Sequence, residues 1–180
     1  MHRTYKTEGF ILKQRPFGEA DRLLTVYSKH YGKICCLAKG VRRLKSRKAG
    51  SLELFSLSNL FFARGRNLDL ITEAVLVNNF SSWRQNLARV GVAFYFAELV
   101  DKLNAEEQPN RQVFGLIEES FARLKDEKLA LLVQEFEKRL LTDLGFGVPE
   151  NRNRSRSLRD YIEEVIEKPI NTPRIVRQLF

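Results

Sequence analysis

The chain has 180 residues, 43% hydrophobic and 29% charged, with a formal net charge of +9, which is the profile of a soluble globular protein of one or two domains. Its longest apolar run, 90–97, falls far short of the roughly 18 to 20 residues that a membrane span needs. Residues 1–20 carry Arg3, Lys6, Lys13 and Arg15 and no apolar block longer than Phe10-Ile11-Leu12, so no secretory signal is expected either.

Up to about residue 80 the pattern is that of strands. Runs rich in β-branched and aromatic residues predict five of them, over 5–14, 22–28, 33–39, 54–63 and 68–77. Turn residues separate them: Pro16, Phe17 and Gly18 after the first, His30, Tyr31 and Gly32 after the second, and Arg64 to Asn67 before the fifth. The connection over 40–52 is longer, and is either a mobile loop or contains a short helix. After residue 80 the apolar spacing becomes helical. Residues 84–104 are apolar on most of the circumference through Val92, Phe94, Phe96, Leu99 and Val100, as a helix at the centre of a bundle would be.

A second helix begins near Asn110 with the stripe Val113, Ile117, Phe121 and Leu124, and a third carries Leu132, Val133, Phe136, Leu140, Leu141 and Leu144, with Gly145 placed as its cap. A fourth presents Leu158, Tyr161, Ile162, Val165 and Ile166 after an approximate capping box from Ser157 to Asp160, and Thr172 with Pro173 opens a last short one. The polar stretch 147–156, with Arg152, Arg154 and Arg156, reads as a linker or as an extension of a basic track. The expected class is therefore α+β in two domains, strands over 1–80 and helices over 81–180.

Charge divides the same way. Residues 1–80 hold 15 Lys and Arg against 6 Asp and Glu, and residues 81–180 hold 16 against 16, so the whole excess lies in the strand half. Between Asp21 and Glu53 there is no acid, yet nine cations: Arg22, Lys29, Lys33, Lys39, Arg42, Arg43, Lys45, Arg47 and Lys48. Such a one-signed patch repels itself, and its usual use is to hold a polyanion by releasing condensed counterions. Five strands in about 80 basic residues close most economically as a small oligonucleotide-binding (OB) barrel, because closure removes exposed strand edges.

On such a barrel cations meet phosphates and rings stack on bases. The candidate contacts are those nine cations together with Arg15, Arg64 and Arg66, and the favoured stacking rings are Phe17 and Tyr31, which lie in turns; Tyr27, Phe61 and Phe62 are the other rings among the cations.

The two cysteines, Cys35 and Cys36, are adjacent, so a disulfide between them would be strained, and His2 and His30 are the only histidines. Reduced thiols, no structural metal and a cytoplasmic location follow as expectations. Glu19 and Asp21, two apart, share a strand face but lack a third acid or a nearby histidine, and read as structural ion-paired groups, not as a catalytic pair. No G-x-x-x-x-G-K-[ST] loop is present, so neither an ATP site nor any other cofactor is expected.

The run ILKQRPFGEADRLLTVY over 11–27, followed by GK at 32–33, LAKGVRR at 37–43, KSR at 45–47, LELF at 52–55 and YFAELVD at 95–101, closely resembles the RecO recombination mediators. The likeness covers about residues 5–145. It implies an OB barrel followed by a helical domain, and a non-enzymatic, nucleoid-associated bacterial protein of DNA repair. Members bind single- and double-stranded DNA, anneal complementary strands, bind the C-terminal tail of single-stranded-DNA-binding protein, and work with RecR to load RecA. Arg84, Arg89, Lys102, Arg123, Lys138 and Arg139 are available to flank a pocket for that tail.

The chain departs from many members in one respect. Beyond Val148 and Pro149 it has no cysteine, where they carry a four-cysteine zinc module, so it reads as a short form without that module. On composition alone an RNA-binding OB-fold protein of the translation apparatus remains an alternative. A membrane-surface protein would need a basic amphipathic helix, and here the cations lie in the strand half.

Overall fold

Alternation of apolar and polar residues produces the strands, and the register decides where each begins. The computed structural model describes residues 3–148, 158–167 and 169–171. Its strands are β1 (Thr4–Phe17), β2 (Asp21–Ser28), β3 (Gly32–Ala38), β4 (Leu57–Ala63) and β5 (Asp69–Asn78), closed as a barrel in the order β1-β2-β3-β5-β4. All neighbours are antiparallel except β3 and β5, which run parallel for only two residue pairs, Cys36 opposite Asp69 and Leu37 opposite Leu70. Ile11, Leu24, Val26, Ile34, Leu52, Leu60, Phe62 and Ile71 fill the interior.

Two strand boundaries differ from the sequence reading. Strand β1 continues through Pro16 and Phe17, which pair with Arg22 and Asp21, so the reversal falls after Phe17 and not on it. Proline is tolerated there because the β4 ladder ends at Phe10, so beyond it β1 is paired with β2 alone. At the other boundary, residues 54–56 are not in β4. Phe55 has φ +66°, its N–H donates to Ile11 O at 2.8 Å, and its ring is buried, so burial of the ring outweighs the strain of a left-handed backbone. Between β3 and β4 the only helical turn is a short 3₁₀ turn, Gly50–Leu52.

The chain divides into two units, one of residues up to Phe80 with Ala105–Arg111, the other of Ser81–Asn104 with residues from Gln112 on. Residues 105–111 lie outside the stretch that the sequence assigned to the strand half. They join it at the β2–β3 hairpin: Glu107 N–H donates to Lys33 O at 3.0 Å, and Gln108 passes so close to Gly32 that a Cβ there would lie 2.3 Å from Gln108 O. Gly32, at φ +67°, also needs the left-handed conformation for the hairpin.

The helical unit holds α1 (Leu87–Leu103), α2 (Arg111–Arg123, whose first residue belongs to the other unit), α3 (Leu129–Asp143) and α4 (Leu158–Ile166). Asn86 caps α1 by accepting from Arg89 N–H. Helix α1 is buried through Val92, Ala93, Tyr95, Phe96, Ala97, Leu99 and Val100, in keeping with the apolar circumference read from the sequence. Phe94 is the exception at 40% exposed. Phe96 stacks on Phe136 of α3 with centroids 3.9 Å apart, and Trp83 donates Nε1–H to Phe121 O at 2.8 Å.

Gly145 closes α3 as expected, with Gly145 N–H to Thr142 O and Phe146 N–H to Leu141 O, both at 3.0 Å, the two bonds of a Schellman motif. No helix among the described residues is long and apolar enough to cross a membrane. Ser157, the three arginines Arg152, Arg154 and Arg156, and the Thr172-Pro173 turn lie outside the described residues.

Candidate nucleic-acid interface

The connection from β3 to β4 carries most of the cations, and backbone turns hold it in place. Gly40 N–H donates to Asp21 Oδ1 at 2.7 Å, Arg42 N–H to Ala20 O at 2.9 Å, Arg43 N–H to Gly40 O at 3.2 Å and Ser46 N–H to Arg43 O at 2.9 Å. Val41 and Leu52, both under 3% exposed, plug it into the barrel core. These bonds and the two buried side chains hold the connection, while Leu44 and most of the charged side chains project. Lys48 is the exception. Its Nζ donates to Ile71 O at 2.9 Å, tying the connection to β5, and burial pushes its pKa down against the opposing pull of Asp21.

Because β3 and β5 pair for only two residues, the next part of β5, which is paired with β4 on one edge, faces this connection on the other. The result is a cleft of about 660 Å³, lined by Lys39, Arg43, Lys45, Arg47 and Lys48 on one side and by Thr72, Glu73 and Ala74 of β5 on the other. Among the described residues, none of Lys39, Arg43, Lys45 and Arg47 is in an ion pair. Cations held together without carboxylate partners keep a positive potential in the cleft, suited to a chain of phosphates.

The other candidates are distributed around the barrel. Arg42 lies beside the β1–β2 turn, its Nη1 donating to Gly18 O at 3.3 Å. Arg22 donates to Gln14 Oε1 at 2.9 Å, and Arg15 stands exposed opposite Leu23. Lys29 and Lys33 flank the β2–β3 turn, at the far end of that ladder from Arg22 and Lys39, and Lys29 pairs with Glu8 at 2.6 Å. Arg64 and Arg66 are exposed in the β4–β5 connection.

Of the rings, Phe17 is 49% exposed at the end of β1, whereas Tyr31 is half-buried against Tyr5, centroids 4.5 Å apart. Tyr27 and Phe62 are fully buried in the core, and Phe61 is half-buried.

Asp21 accepts a backbone N–H at the mouth of the cationic connection, so its structural role runs through an amide and not through an ion pair. Sequence reasoning missed Thr72, Glu73 and Ala74. Nothing in their local pattern marks them, because they reach the cleft only through the parallel pairing of β3 with β5.

The family model for the recombination protein O N terminal matches residues 1–80, and that for the recombination protein O C terminal matches residues 84–155. The chain belongs to the recombination protein O family. Among its relatives is the DNA repair protein RecO of Pelotomaculum thermopropionicum, 36% identical over 142 residues that make up 79% of this chain and 56% of that one. The RecO of a Roseiflexus species is 38% identical over 145 residues, 80% of this chain and 51% of the relative. That of Trichodesmium erythraeum is 38% identical over 125 residues, 69% and 43%. The chain spans about half the length of the curated relatives it matches.

In this recombination protein O chain the run over 11–27 forms the β1–β2 hairpin, while LAKGVRR and KSR form the end of β3 and the cationic connection itself. Two of the segments that carry the family likeness thus build one wall of the cleft, while YFAELVD lies in α1.

Proposed function

We propose that the chain serves DNA repair and recombination as a non-enzymatic mediator that holds DNA in the cleft between the β3–β4 connection and β5. Neutralised there, the backbones of two single strands, or of a strand and a duplex, no longer repel, and complementary bases meet without any bond being made or broken in the protein. Loading of RecA with RecR and engagement of the tail of single-stranded-DNA-binding protein belong to the same reading, and they rest on family membership.

In the helical unit Arg123 is held by Glu119, Glu127 and Glu135, and Lys102 by Glu98. Either would have to be freed from its carboxylates to serve an acidic tail.

The observation that carries the DNA reading is the set of five cations around the cleft, none of which has a carboxylate partner among the described residues. The relatives' name, DNA repair protein, favours DNA over RNA. If the five lining cations each neutralise one phosphate, the logarithm of the binding constant for single-stranded DNA falls with the logarithm of salt at a slope of about −3.5. A slope near zero in a salt titration of oligothymidylate binding would refute the reading, and equal affinity for RNA and DNA of one sequence would refute its DNA preference.

A further inference from the structure

One end of the barrel carries an aromatic arrangement that the cationic cleft does not use. Tyr5 of β1 stacks on Phe62, centroids 4.8 Å apart and 11° from parallel, with Tyr31 tilted against it. Its hydroxyl donates to Asp69 Oδ2 at 2.6 Å, and Asp69 Oδ1 accepts from Gly65 N–H at 3.1 Å, so one carboxylate fixes both the ring and the tip of the β4–β5 hairpin.

That hairpin lays Arg64 over the ring, its guanidinium carbon 5.1 Å from the Tyr5 centroid, and Arg64 N–H is held by Arg3 O at 2.9 Å. Among the described residues Arg64 has no carboxylate partner. Phe62 and Tyr31 already pack against the Tyr5 ring, so the exposed and unpaired member of this stack is the Arg64 guanidinium, and guanidinium planes receive bases.

We propose that Arg64, carried on the Tyr5 ring, forms a nucleobase subsite, in which one base of a bound single strand stacks on the outer face of the Arg64 guanidinium. The proposal rests on the nucleic-acid reading above and adds to it a residue that meets a base, Arg64, and the ring that positions it, Tyr5. Asp69, which holds Tyr5, and Thr72, which lines the cationic cleft, are three residues apart on β5, about 10 Å along the strand. A single strand with its phosphates in the cleft therefore reaches this end of the barrel within a short oligonucleotide. Sequence alone favoured Phe17 and Tyr31. Tyr31 is tilted against Tyr5, with ring centroids 4.5 Å apart.

The test compares binding of oligothymidylate with binding of an abasic strand of the same length, by fluorescence anisotropy, for the full chain and the variants Tyr5→Leu and Arg64→Lys. Arg64→Lys keeps the charge, loses the plane and touches no core residue, so it is readable even if Tyr5→Leu loosens the barrel. Both variants are expected to weaken oligothymidylate binding, Arg64→Lys by about tenfold and Tyr5→Leu, which removes only the support beneath Arg64, by less, and to leave abasic binding unchanged. Tyr5→Phe, which keeps the ring, is expected to retain most of the affinity. Equal binding of both strands by Arg64→Lys and the natural chain would overturn the subsite and leave the phosphate cleft standing. Failure of the natural chain to bind either strand would overturn the nucleic-acid reading, and the subsite with it.

Discussion

The amide of Gly40 donates to the Asp21 carboxylate at 2.7 Å, so one of the few acids of the strand half anchors the start of its most basic segment. A charged acceptor on a backbone N–H contributes more than a neutral one. Replacing Asp21 by Ala is expected to lower the unfolding free energy by about 1 to 2 kcal/mol in urea denaturation with the fold retained. It is also expected to speed hydrogen exchange at the Gly40 amide; an unchanged exchange rate would show that the connection is held without Asp21.

The cations of the connection are not equivalent. Arg43, Lys45 and Arg47 line the cleft, whereas Arg42 is turned toward Gly18. Replacing the three by Ala is expected to make the salt slope of single-strand binding shallower by about 2, at unchanged thermal stability. Arg42→Ala is expected to change it by less than any one of the three.

Gly32 combines a left-handed backbone with a neighbour that cannot retreat, since the atoms it would strike belong to the main chain of Gln108. Gly32→Ala is expected to cost at least about 2 kcal/mol, read from urea denaturation, and to expose the Glu107 amide to exchange by pushing residues 105–111 away from β3. A loss below half that figure would mean that the segment adjusts without cost.

On α2, α3 and the turn between them, Arg123 bridges Glu119, Glu127 and Glu135, and Arg139 bridges Glu119 and Glu135. The Arg123 guanidinium holds the Glu135 carboxyl down at about 2, from an ordinary 4.5. A depressed carboxyl stabilises the fold above its unfolded pKa, and that contribution is lost as pH falls from 4.5 through 2. Glu135 is 42% exposed, so solvent screening limits the effect to about 1 kcal/mol or less. Denaturation followed across this range is expected to show a stability decline that Glu135→Gln flattens.

Trp83 is the single tryptophan, 1% exposed, with its indole N–H on Phe121 O. Its emission is expected to be blue-shifted in the native chain and to move red on unfolding, which makes it a reporter of the helical unit. Trp83→Phe leaves the Phe121 carbonyl without that donor and is expected to cost about 1 to 3 kcal/mol in chemical denaturation.

Five strands, four of the helices and the basic character of the first half were legible because each is written in local spacing: alternation for β2 and β3, an apolar stripe for α2 and α3, a glycine after Leu144. The misreadings share one cause. The stretch 54–56 has the composition of a strand but turns because Ile11 and the core claim Phe55, and Pro16 resembles a turn residue but sits where β1 has one neighbour only. In each the competing partner is distant in sequence.

The residues themselves determined that the positive charge is gathered in the strand half, since charge is a sum and needs no geometry. Which of those charges share a cleft, that β5 forms its other wall, and that Tyr5 lies beneath Arg64 were decided by the tertiary structure. Those placements follow from closing the barrel, where β3 and β5 pair in parallel and β4 brings Phe62 and Arg64 to β1, and contacts between segments far apart in sequence leave no periodic mark in either of them.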